Sequence, residues 1–65
     1  MTREMAKRLR VGDPLRWKDG AFDSVGEVTA RKHNGIDIQW ANDVEPTFHN
    51  FNDDYVISCI HRRKP

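Results

Sequence analysis

The sequence predicts an all-β fold, a small barrel or sandwich of four or five short antiparallel strands. Apolar residues recur mainly with a period of two, as on strands with one wet face. Turn-forming residues punctuate these runs at short intervals. The chain has only 65 residues, 37% of them hydrophobic, which suits one domain burying about 60% of its unfolded surface. That size excludes a two-domain enzyme with an interdomain cleft.

The elements follow in order. Thr2 to Arg10 places Met5 and Leu9 four residues apart and Glu4 four residues before Arg8. That spacing fits one or two helical turns, but nine residues are marginal for a helix standing alone, so a mobile tail is expected unless Met5 and Leu9 dock. Leu15 and Trp17 alternate with Arg16 and Lys18 in the first strand. Val28 and Ala30 alternate with Glu27, Thr29 and Arg31 in the second, and Ile36, Ile38 and Trp40 with Asp37 and Gln39 in the third. A three-residue loop, His33-Asn34-Gly35, would pair Val28 with Trp40 and Ala30 with Ile38 on the core face. It would pair Thr29 with Gln39 and Arg31 with Asp37 on the solvent face, with Gly35 in the left-handed conformation. Tyr55 to Ile60 is apolar in both phases, which predicts a strand covered on both sides or one that meets a partner. Asn52-Asp53-Asp54 before it suits a single 3₁₀ turn. The expected division is a basic N-terminal tail or short helix at 1–10, a barrel at 11–61 and a basic C-terminal tail at 62–65.

No apolar run approaches the roughly 18 residues that span a bilayer. Met1 to Arg10 leads into Gly-Asp-Pro rather than an apolar segment, unlike a secretory signal. Cys59 has no second cysteine to pair with. A reduced, cytoplasmic setting without a membrane is the resulting expectation. The formal net charge of +1 conceals a segregation. Arg3, Lys7, Arg8, Arg10, Arg16, Lys18, Arg31 and Lys32 precede His33, and Arg62, Arg63 and Lys64 follow His61. Between those histidines there is no Lys or Arg, while Asp37, Asp43, Glu45, Asp53 and Asp54 all fall there.

Gly12-Asp13, Leu15-Arg16-Trp17, Gly26-Glu27-Val28 and Ile36-Asp37-Ile38-Gln39-Trp40, with Asp43 after it, together resemble the SH3-like barrel of Tudor and KOW domains. There a Gly-Asp opens the first strand, a central hairpin ends in Val/Ile-x-Trp, and a short turn precedes the closing strand. The resemblance covers about Val11 to Ile60. In place of the usual Asp-Gly after the Trp stands Ala41-Asn42-Asp43-Val44. The resemblance implies that the first and last strands are neighbours, and that the domain binds methylated side chains, RNA or other proteins. The Gly12-Asp13 opening and the chain length are also similar to type II dihydrofolate reductases, whose tetramer encloses a shared pore. Their Val-Gln-Ile-Tyr segment is replaced here by Ile36-Asp37-Ile38-Gln39-Trp40.

Candidate chemistry is sparse. His33, His49, Cys59 and His61 lack the spacing of a recognisable zinc site. No metal or cofactor is expected, with Cys59 serving as a small buried hydrophobe. A strand cysteine in so small a barrel has no preformed pocket for nucleophilic catalysis, so no catalytic residue is assigned. Trp17, Trp40 and Phe48 are expected in the core, and Phe22 and Tyr55 beside turns are the exposed aromatics. If the first and last strands are neighbours, the two basic ends converge. Arg10, Arg16, Lys18, Arg31, Lys32, Arg62, Arg63 and Lys64 are then the expected nucleic-acid-binding residues, acting on phosphates with weak sequence specificity. The alternative is a protein-interaction or self-associating module, using Phe22, Tyr55, Val56 and Ile60 or offering the basic ends to an acidic protein.

Overall fold

A four-stranded meander and a return to its first strand make up a single sheet. The computed structural model describes residues 1–63. In chain order these are α1 (Arg3–Lys7), β1 (Pro14–Asp19), β2 (Phe22–Lys32), β3 (Gly35–Trp40), β4 (Thr47–Asn50), α2 (Asp54–Cys59) and β5 (Ile60–Arg62). The strand order is β4-β3-β2-β1-β5 and every pairing is antiparallel. The short connections between β1, β2 and β3 force each strand beside its predecessor. Helix α2 then carries the chain across the sheet, so that β5 pairs with β1, setting Arg16 opposite His61 and Trp17 opposite Ile60. The strands β4 and β5 lie at opposite edges, and the sheet is open rather than a closed barrel.

Before β1 the chain turns at Gly12. The Asp13 amide donates to the Arg10 carbonyl, the Asp13 carboxylate accepts from the Arg10 amide, and Gly12 sits at φ +94°. A positive φ at the third position of such a turn strongly favours glycine. Gly12 and Asp13 also exchange backbone hydrogen bonds with Val28 and so extend the β1–β2 ladder.

The β2–β3 hairpin differs from the expected register. Lys32 pairs with Gly35, leaving a two-residue loop, His33-Asn34. Arg31 faces Ile36 and Ala30 faces Asp37, after which the register shifts between Val28 and Ala30. Beyond the shift Val28 pairs with Ile38, Glu27 with Gln39 and Gly26 with Trp40. Thr29 is the extra residue, and its hydroxyl donates to the Asp37 carbonyl. A uniform ladder cannot place both ends of β2 in phase with β3, and a bulge solves this by inserting one residue. Val28, Ile38 and Trp40 are buried as expected, whereas Ala30, Asp37 and Gln39 are half-buried. Gly35 is not left-handed. It is required by close approach, since a Cβ there would lie 2.3 Å from the His49 carbonyl oxygen and 2.5 Å from the Phe48 ring.

The segment expected as the last strand is mostly helical. Asp53 caps α2 by accepting from the Val56 amide, and Ile57 and Ile60 reach the core three residues apart. The two-phase apolar pattern is thus that of a short helix running into a three-residue strand. The N-terminal segment is helical and docked rather than a mobile arm. Thr2 caps α1, and Ala6 and Leu9 are buried with Leu15, Ile36, Ile38, Phe51, Ile57 and Ile60. Leu9 docks as one of the two residues considered for it, while Met5 stays half exposed. The Met1 nitrogen donates to the carbonyls of Ile57 and Ile60, and Arg3 pairs with Asp54, joining α1 to α2. A helix too short to persist alone is stable here because its apolar residues close the core.

Candidate nucleic-acid interface

The pairing of β1 with β5 gathers basic residues from both ends of the chain. By strand alternation Arg16 and Lys18 leave the face opposite Leu15 and Trp17, and His61 stands directly across from Arg16. Together with Arg62 and Arg63 they line an open groove of about 1090 Å³, completed by Asp23, Ser24, Val25, Ala41 and Asn42. Four cations therefore face one carboxylate in its lining.

Neighbours fix several of these groups. The Arg16 guanidinium donates to both carboxylate oxygens of Asp23, through Nε at 2.9 Å and through a terminal nitrogen. This hydrogen bond holds the Asp23 carboxyl below the usual carboxylate range and raises the Arg16 guanidinium. Arg62 lies 3.6 Å from Asp13. Arg63 donates to the Gly26 carbonyl at 3.3 Å, and its buried Nε has no hydrogen-bond partner among the described residues. Lys18 is exposed and forms no ion pair among them.

On the other face of the β1–β2 ribbon lies a smaller cavity of about 260 Å³. Trp17, Phe22 and Trp40 form its aromatic walls, with Asn42, Asp43, Thr47 and His49 around them. Trp17 meets Trp40 edge to face at 6.1 Å and Tyr55 at 6.5 Å. Trp40 Nε1 donates to His49 Nε2 at 3.1 Å, and the Thr47 hydroxyl lies 2.9 Å from the same nitrogen. Burial lowers the His49 pKa, against the pull of Asp53, Asp37 and Asp43. Tyr55 donates to Asp19, which pushes its pKa up to about 12. Ser24 and Asn42 line both the groove and the cavity, and the Ser24 hydroxyl donates to the Asn42 side chain at 3.0 Å.

Of the expected basic residues, Arg16, Lys18, Arg62 and Arg63 come together in the groove. Arg10, Arg31 and Lys32 do not line it. Arg31 donates to the Lys7 carbonyl, while Lys32 pairs with Asp37 at 3.3 Å and lies over the Phe48 ring. Lys64 falls outside the described residues. Phe22 and Tyr55 are exposed and Val56 is half-buried. Ile60 is fully buried, so it is a core residue and presents nothing to a partner. Phe48, expected in the core, is 44% exposed because it pairs with Asp37 on the face opposite Ile36 and Ile38, and Phe51 takes the buried place. Ser24, Asn42, Thr47 and Asp43 were not legible as site residues. The one available signal was that Thr47 and His49 alternate onto the face that carries Trp40.

Cys59 is buried at the end of α2, not on a strand. Among the described residues no three metal-ligating side chains cluster, and no helix is long and apolar enough to cross a membrane. The chain matches no protein-family model, no curated protein and no solved structure.

Proposed function

We propose that this chain is a non-enzymatic binding module that takes the phosphate backbone of nucleic acid in the groove across β5, β1 and β2. The convergence of Arg16, Lys18, His61, Arg62 and Arg63 from opposite ends of the sequence carries this reading. Clustered cations attract a polyanion by releasing its counterions. The exposed Lys18 and His61 are available to phosphate oxygens, while Arg16 and Arg62 keep their carboxylates unless a phosphate competes. Asp13 and Asp23 moderate the field, which suits modest affinity and weak sequence specificity. The SH3-like, Tudor/KOW-type kinship belongs to the same proposal. In its support stand the five-stranded order with β5 beside β1 and the helical turn before β5.

Binding of a labelled oligonucleotide at low salt tests the proposal. The Lys18→Glu/Arg62→Glu double variant should lose binding. Lys32→Glu, outside the groove, should retain it. Three engaged phosphates would give a slope of log affinity against log salt of about −2 to −3. Wild-type protein that binds no nucleic acid at low salt would remove the proposal. Retention on an acidic polypeptide alone would favour a protein partner on the same groove.

A further inference from the structure

We infer that the aromatic cavity takes a single unstacked nucleobase from a strand whose phosphates lie in the adjoining groove, so that the protein prefers single-stranded nucleic acid to duplex. This rests on the nucleic-acid reading of the groove and adds to it. At about 260 Å³ the cavity is smaller than the roughly 300–1,000 Å³ usual for ligand sites and admits one ring system. Its walls are aromatic, and Phe22 at its margin is 54% exposed, an apolar ring that the core leaves uncovered. Stacking on such rings is available to any base, whereas a base paired in a duplex cannot enter.

The surroundings select among occupants. Ser24 and Asn42 are shared with the groove, so a ligand in the cavity continues into a wall carrying four cations. A cationic side chain would meet Asp43 in the cavity but face four cations along the adjoining wall, and a neutral apolar one would gain nothing from the groove. A base joined to phosphates uses both. The Asn42 oxygen already accepts from Ser24, which leaves its amide nitrogen to donate to a base edge, and the Asp43 carboxylate can only accept.

Both tryptophans of the chain, Trp17 and Trp40, line this cavity. Their emission therefore reports a base stacking within it. Titrations of the intact protein would use a mixed-sequence single strand of about eight nucleotides, in DNA and RNA forms, within the usual range of single-strand site sizes. The matched duplex, inorganic polyphosphate and polyglutamate complete the set. The single strand should quench emission and bind about tenfold or more tighter than the duplex. Polyphosphate should bind without quenching. Phe22→Ala should remove the single-strand advantage while leaving polyphosphate binding intact, which shows that the groove is still folded. The DNA and RNA arms identify which strand is preferred. Equal binding of single strand, duplex and polyphosphate without quenching would overturn the cavity proposal alone and leave the groove reading standing. Quenching by polyglutamate without nucleic-acid binding, or no binding to any polyanion, would overturn both.

Discussion

Trp40 donates its indole N–H to Nε2 of His49 at 3.1 Å, and an indole can only donate. The neutral imidazole therefore carries its proton on Nδ1, and protonating Nε2 would turn an acceptor into a donor facing another donor. Burial shifts the His49 pKa down, so the unfolded chain binds this proton more readily. Stability from this group is complete above about pH 6.5 and falls as pH drops from there toward the lowered folded pKa. Melting temperature should decline between about pH 7 and pH 5, and His49→Phe should flatten that decline, with Asp37, Asp43 and Asp53 left unchanged. A wild-type melting curve constant over this range would contradict the assignment.

Leu9 is 3% exposed and packs with Ala6 in the main core. Leu9→Ala should cost about 2–5 kcal/mol, a large share of the roughly 3–10 kcal/mol typical of a domain this size. Chemical denaturation measures it directly. Removing residues 1–9 should lower the melting temperature sharply, while an unchanged melt would mean that α1 contributes nothing.

Gly35→Ala should destabilise by crowding rather than by backbone strain, because its φ is ordinary and the space is filled by the His49 backbone. The expected loss is about 1–3 kcal/mol, as for overpacking. Gly12 has open space around it, so Gly12→Ala should cost only the left-handed penalty, about 1–2 kcal/mol. Phe48→Ala would clear one obstacle but leave the carbonyl, so it should rescue Gly35→Ala only in part.

Asp23→Asn should strengthen polyanion binding several-fold. It removes the carboxylate that lines the groove and releases the Arg16 guanidinium. The pair is exposed, so the melting temperature should hardly move. Weaker binding by Asp23→Asn would show that Asp23 positions Arg16 for its ligand.

Alternation made β1 and β3 readable and correctly separated Leu15 and Trp17 from Arg16 and Lys18. The neighbouring of first and last strands put Arg16 and Lys18 on one groove with Arg62 and Arg63, whereas Arg3, Lys7, Arg8 and Arg10 do not line it. Thr29 defeated the hairpin argument, because a bulge leaves no trace in a two-residue period. Tyr55 to Ile60 defeated the strand assignment, since a one-and-a-half-turn helix and a doubly buried strand share the same apolar density. Asp53 was the missed cue, a capping side chain three residues before the amide of Val56. The cavity was hidden for another reason. Trp17, Trp40 and His49 come from three strands, and only their tertiary approach distinguishes a lined hollow from a filled core.

The pairing of β1 with β5 also orders events in folding. The β1–β2, β2–β3 and β3–β4 hairpins are local and close early, whereas β5 must travel back from the opposite end of the chain. The groove spans that last junction. A folding intermediate that has closed β1 to β4 thus carries Arg16 and Lys18 without their counterparts beside β5. The four groove cations are therefore assembled together only in the last pairing step, when Arg62 and Arg63 arrive beside β1.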